Sequence, residues 1–408
     1  MRRNRTLMTV ADLAAAPLIL ASCSGGGANG GGDAGGEVDS LTMLDYWNNE
    51  PDKTIMQGVI DDCAEEIGVE IERETVPGKD LIQKVLQRSS SKTLPDILML
   101  DNPDVQEIAA TGGLAPLSRF DVDTDGFAQG ILDAATYEDE IYGLAPAVNT
   151  LGIFYNKTLL DEAGIEPPKT WDDLKAASAA LTEGDRYGVA FSAIATYEGA
   201  WQFLPFMWTN GGDETDLQTP EVAEALQLWV DLVKDGSASE GVVNWSQADV
   251  KDQFVAGKAA MMVNGPWQIP ALADTDFEWG SVLVPVNEEG QTPVAPLGGE
   301  VLTVPETGDE ARQAKAAEFI GCITNEDNSM AVAEARFMVP TRTDLVDAYV
   351  EKVPSMEAFT QQVVDARSRT GKLGEEWPTV ATVIYNAVQL AITGEAEPAE
   401  ALEQAARG

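Results

Sequence analysis

Leu41-Thr-Met-Leu-Asp-Tyr-Trp47, Val69-Glu-Ile-Glu-Arg-Glu74 and Pro95-Asp-Ile-Leu-Met-Leu-Asp101, with two helical stretches between them, decide the fold. The three quoted pieces are short and either apolar or alternating, as strands are. Between the first two, Ile55, Val59, Cys63 and Ile67 recur every four residues and line one face of a helix over 53–67; residues 81–86 read as a second helix. The order is βαβαβ. It favours a parallel sheet with helices on both faces, whose ligand crevice opens beyond the carboxyl ends of the strands. Trp47, followed by Asn48, and Asp101, followed by Asn102, occupy two such ends.

A second cycle begins with a strand over 151–155 and a helix through Ala163. Thr170 and Asp173 then have the spacing of a capping box that opens a helix through Leu181. Further helices are expected over 199–208, 221–233 and 246–255. A strand over 259–263 runs into Asn264-Gly-Pro-Trp267, where Gly permits a tight turn, Pro suits a helix start, and Trp267 is thrown out at a strand end. Helices over 310–324 and 327–335, then from Ser355 and from Pro378, finish the chain. At 408 residues with 44% hydrophobic content, two α/β lobes are expected rather than one domain.

Composition removes several functions. Lys and Arg number 26 against 68 Asp and Glu, a net charge of -42, so nucleic acid and anionic lipid are repelled rather than bound. There is no His, so a Ser-His-Asp triad, a Cys-His pair and an HExxH zinc site are all excluded. Asp121, Asp123, Asp125 and Gly126 open like a calcium loop, but the twelfth position is Leu132 where the closing bidentate Glu belongs; a solvated turn is the expectation, with no metal and no cofactor.

The amino terminus reads as an address. Arg2, Arg3 and Arg5 precede an apolar run over 7–21, interrupted by Asp12 and too short to span a membrane. The run ends in Leu20-Ala-Ser-Cys23, which resembles a bacterial lipobox; that resemblance implies cleavage after residue 22 and a lipid on Cys23. Residues 24–36 are glycine-rich, and a flexible tether is the expectation. An extracytoplasmic location permits disulfides, and Cys63 and Cys322 either pair or remain small buried hydrophobes.

Several phrases, in order along the chain, are similar to the extracellular solute-binding proteins, family 1, which include maltose-binding protein. They are Tyr142-Gly-Leu-Ala-Pro146, Ile153-Phe-Tyr-Asn-Lys157, Ala163 to Trp171, Met261 to Trp267, Gly298-Gly299, Val339-Pro-Thr-Arg342 and Leu390 to Gly394. The resemblance implies a periplasmic-binding-protein-like α/β fold: two doubly wound lobes, a three-crossing hinge and a ligand cleft between them. Crossings are expected near 147–149, 296–300 and 340–344, with an amino-terminal lobe of 41–148 and 299–342 and a carboxyl-terminal lobe of 149–298 and 343–408. It also implies a monomeric sugar-capturing lipoprotein that serves the permease of an ABC importer and touches the membrane only through its anchor.

A sugar presents an apolar face and a rim of hydroxyls, which aromatic rings and short polar side chains match. The expected contacts are Trp47, Asn48, Asp101, Asn102, Glu198, Trp201, Trp267, Glu300, Arg342 and Trp377, with Trp267 foremost because the family places that ring on the sugar. Trp47, Trp377 and Arg342 read equally well as structural. Two rivals remain: a secreted carbohydrate hydrolase using paired carboxylates, and a binding protein for a polyol or glycerol-phosphate ligand, for which Arg342 is the obvious cation.

Overall fold

The computed structural model describes residues 38–408 apart from 274. The signal segment, Cys23 and the tether lie outside the described residues. The chain opens with β1 (Ser40–Asp45), α1 (Asp52–Ile67), β2 (Glu70–Thr75), α2 (Gly78–Ser91) and β3 (Ile97–Asp101). The second cycle supplies β4 (Gly152–Asn156), α3 (Trp171–Leu181), β5 (Tyr187–Ala190), α4 (Tyr197–Thr209), α5 (Pro220–Lys234), α6 (Gln247–Val255), β6 (Ala259–Asn264) and β7 (Trp279–Val282). Then come β8 (Glu300–Pro305), α7 (Glu310–Ile323), α8 (Glu326–Arg336), α9 (Val346–Lys352), α10 (Glu357–Val364) and α11 (Trp377–Ile392).

Local chemistry fixes the helix starts. The Thr170 hydroxyl accepts from Asp173 N while the Asp173 carboxylate accepts from Thr170 N, and Ser246 with Asp249 repeats this reciprocal box at α6. Helix α4 starts at Thr196, whose side chain accepts from Glu198 N.

Two larger sheets result, one in each lobe, beside two short two-stranded pairings. In the first, β1 pairs in parallel with β2 and β3, as the βαβαβ order requires. Strand β8 then enters antiparallel beside β3, with Glu300 opposite Asp101. The second sheet has the order β5-β6-β4-β7, in which β5 and β6 are parallel and both partners of β4 are antiparallel. The three strands of the βαβαβ run are parallel as expected, and in both sheets strands returning from distant sequence add antiparallel neighbours that local periodicity does not reveal.

Three segments pass between the sheets side by side. Asn149 and Gly298 exchange backbone hydrogen bonds of 3.0 and 2.8 Å, and Ala147–Val148 pairs with Val339–Pro340. Gly299, at φ +135°, packs against Ala147 O and Val148, a left-handed conformation that favours glycine and an approach tight for any side chain. Beyond the third passage α9 stays on α8, where Tyr349 Oη donates to Ala333 O at 3.2 Å. Cys63 on α1 and Cys322 on α7 are joined as a disulfide, closing 259 residues of separation.

Candidate functional site

A groove of about 610 Å³ lies where the carboxyl end of β3 and the start of β8 face the turns after β6 and before α4. Such a volume suits a small-molecule site. Among the expected contacts it gathers Asp101, Glu198, Trp201, Trp267 and Glu300.

The Trp267 turn is built by its neighbours. Buried Asn264 donates from Nδ2 to Gln247 O at 2.9 Å, and its Oδ1 accepts from Gly265 N at 3.0 Å. Pro266 opens a short 3-10 turn, and the Trp267 ring folds back over Gly265 so closely that a methyl there would collide with it. The ring is thereby held half-exposed in the groove. Trp201 projects from α4 toward Gly298, where it too leaves no space for a Cβ. Glu198, one helical turn earlier, accepts from Gln247 N at 2.8 Å.

On the facing lobe, Glu300 is held by Arg336 through contacts of 3.0 and 3.2 Å and accepts from Tyr46 Oη at 3.3 Å. Arg336 also reaches Asp52 at 2.9 Å. Burial alone would raise the Glu300 carboxyl, but the Arg336 guanidinium outweighs it and holds the group below the usual range. Burial and the neighbouring Glu300 charge push the Tyr46 hydroxyl well up. At Asp101 burial wins: its carboxyl is raised, although Arg369 opposes this.

The other expected contacts stand elsewhere. Trp47 is only 2% exposed, packed beneath Arg336 and Arg73 with their guanidinium carbons 5.6 and 6.0 Å from its ring centre. It is a support for Arg336, not a platform, because its apolar ring fills the core behind β1. Asn48 follows it outside the groove lining. Asn102 is fully buried and donates to Leu297 O and Gly299 O at 3.2 and 3.3 Å, so its amide serves the second passage. Arg342 lies over Phe127 at 5.3 Å, away from the groove. Trp377 is 3% exposed in the apolar core around α4, α5 and α11. In the acidic loop, Asp123 Oδ1 accepts from Asp125 N, an Asx turn.

Sequence reasoning missed Arg369, Arg336, Tyr46 and Tyr197, all of which line the groove. Arg369 lies in the irregular segment between α10 and α11, held there by pairing of Arg367 with Ala295 and Leu297. Its guanidinium stacks 4.5 Å from the centre of Trp201 and reaches Asp101 at 3.3 Å. No motif surrounds it. Arg336 ends α8, a place that ordinarily reads as dipole compensation.

Aromatic faces beside fixed carboxylates and guanidinium groups can shelter the C-H face of a polar ring and engage its hydroxyls. Comparison with known proteins agrees with that chemistry. Residues 58–361 match the family model described as bacterial extracellular solute-binding protein. The chain is 24% identical to the galactooligosaccharide-binding protein of Bacillus subtilis, covering 87% of this chain and 86% of that one. It is also 24% identical to the maltooligosaccharide ABC transporter solute-binding lipoprotein of Streptococcus pneumoniae, over 81% and 78% of the two chains. Among solved structures, the cyclic alpha-maltosyl-1,6-maltose binding protein of Arthrobacter globiformis superposes with a TM-score of 0.80 at 29% identity, over 91% of this chain and 98% of that one. This chain belongs to the bacterial extracellular solute-binding protein family.

Proposed function

We propose that the protein captures a neutral sugar or oligosaccharide in this groove without altering a bond, and delivers it to the permease of an ABC importer. The carrying observation is the half-exposed Trp267 ring on one lobe, facing Tyr46, Asp101 and Glu300 on the other. A ligand seated there touches both lobes. Its extra contacts favour a closed arrangement in which the two lobes move against one another about the passages between them, with α9 remaining on α8. In this reading residues 1–22 are removed, Cys23 carries the lipid, and a monomer works at the extracytoplasmic face of the membrane.

The charge of the groove supports a neutral ligand. Glu50, Asp52, Asp101, Glu198 and Glu300 line it against Arg336 and Arg369. Arg336 is already engaged by Glu300 and Asp52, so a phosphate would meet a surplus of carboxylates. A hydrolase would need one protonated acid and one free carboxylate flanking a single bond. Here Glu300 is tied to Arg336 and Asp101 to Arg369. Thermal-shift measurements over mono-, di- and oligosaccharides test the proposal: one site at a ligand concentration 100 times Kd adds about 2.7 kcal/mol. Shortened saccharides after incubation would instead favour the hydrolase.

A further inference from the structure

We infer that Tyr46 is a specificity-determining residue of the groove: its hydroxyl donates to Glu300, so it offers a bound saccharide lone pairs only and selects a free hydroxyl that can donate there. The inference rests on the sugar-binding reading above.

The turn after β1 fixes the ring. Asp45, fully buried, accepts from Trp47 N at 2.8 Å and is gripped by Arg73, whose Nε and Nη2 lie 2.6 and 2.8 Å from its two oxygens. Arg73 Nη2 also donates to Trp47 O at 3.0 Å, and Asn48 N donates to Tyr46 O at 2.7 Å. The backbone on both sides of Tyr46 is thus tied down. Its half-buried ring lies beside Gly78 at the start of α2 and lines the groove.

Proton counting fixes the direction of the bond. Arg336 donates to the two Glu300 oxygens, from Nη2 at 3.0 Å and from Nη1 at 3.2 Å, and both residues are buried. A carboxylate held in this way is ionised and can only accept. In the contact of 3.3 Å between Tyr46 Oη and Glu300 Oε1 the phenol is therefore the donor. Its length, against about 2.7–2.8 Å for a usual O–H···O bond, weakens the contact without changing which atom holds the proton. Burial and the Glu300 charge push the Tyr46 hydroxyl well up, so that proton stays in place near neutrality. A phenol has a single proton to donate, and what remains at Oη is acceptor capacity.

The neighbours make this wall one-sided. Arg336 is turned toward Glu300 and toward Asp52, at 2.9 Å, and Asp52 and Glu50 line the groove as carboxylates. Asn49 adds an exposed amide that can turn either way. Fixed donors come instead from Arg369 on the floor. A ligand hydroxyl that donates to Tyr46 Oη completes the wall. A methyl ether or a fluorine has no proton to give and sets a further lone pair against acceptors.

Calorimetric titration of the full chain with maltose, maltotriose and lactose identifies the tightest binder of the three. Derivatives of that saccharide, with one hydroxyl at a time replaced by fluorine, methoxy or an amino group, then test the assignment. At one position the fluoro and methoxy derivatives should each bind about tenfold more weakly, while the amino derivative, which keeps its donors, binds within about twofold of the parent or tighter. Tyr46→Phe should bind the parent about fivefold more weakly and shrink the fluoro gap at that position to within about twofold, leaving the gaps elsewhere unchanged. Fluorine tolerated at every position, or a gap undiminished in folded Tyr46→Phe, overturns the inference and leaves the sugar reading standing. Heat from none of the three saccharides would overturn both. Far-ultraviolet circular dichroism confirms that the variant is folded, and the wild-type contrast between fluoro and amino derivatives does not depend on it.

Discussion

The guanidinium of Arg369 lies 4.5 Å from the centre of the Trp201 ring and closes one face of an indole that would otherwise be open to a sugar. The pair therefore acts as a composite plate: the ring fixes the plane of the fork, and the fork offers donors where an indole face offers none. In the proposed reading, stacking of the sugar itself falls to Trp267, whose ring is partly exposed.

Arg369→Ala should weaken saccharide binding about tenfold or more, equivalent to about 1.4 kcal/mol. Arg369→Lys should restore charge without restoring the planar stack, and so recover only part of the affinity. Calorimetry reads the affinities, and the tryptophan emission should shift in both variants as the Trp201 face is uncovered. Unchanged affinity in Arg369→Ala would remove the plate from the site.

Gly265→Ala tests how the Trp267 platform is held. A methyl at 265 would collide with the Trp267 ring, so the indole must swing out of its place in the groove. Saccharide affinity should fall nearly as far as when the ring is removed altogether, while strand β6 and the global melting transition survive. An unaffected affinity would mean that the ring position does not matter.

Arg336→Met leaves Glu300 buried without its cation. Removing one member of a buried pair typically costs about 3–5 kcal/mol, and that loss is expected in urea denaturation near neutrality. The pH dependence has a defined sign. Because Arg336 lowers the folded-state Glu300 carboxyl, the stability that the pair supplies is present above the unfolded value and lost as pH falls through the folded one. Wild type and Arg336→Met should therefore converge in stability on acidification; a gap that stays constant down to about pH 3 would contradict this assignment.

The Cys63 to Cys322 bond ties α1 to α7 across a separation of 259 residues. Long closed loops restrict the unfolded chain most, so reduction should cost about 2–5 kcal/mol. Denaturation with and without reductant measures it. The Cys63→Ser, Cys322→Ser double variant should match the reduced protein and bind saccharide normally, since neither residue lines the groove.

Much of the first lobe was legible because its order is local. The four-residue recurrence through Ile55, Val59, Cys63 and Ile67 lies on α1, and the apolar run before Asp101 is β3. The Asn264 to Trp267 phrase likewise carries its own turn chemistry in adjacent residues. The antiparallel entry of β8 was not legible, because its partner β3 lies some two hundred residues earlier and nothing in either strand encodes that pairing. For the same reason Arg369 escaped notice: its partners Trp201 and Asp101 are brought to it by the fold, and its own neighbours carry no periodicity. Trp47 and Trp377 show the opposite failure. An indole at a strand end or helix start looks the same in sequence whether it faces a groove or a core, and both are buried.

Calorimetric titration of the best-binding saccharide into wild type and Trp267→Ala tests the central claim most directly. Trp267 lines the groove and stands outside the main apolar cores, so the variant should fold and melt close to wild type. Loss of a stacked ring should cost about 2 kcal/mol or more, a weakening of some thirtyfold. A folded Trp267→Ala that binds the saccharide as tightly as wild type would contradict the account.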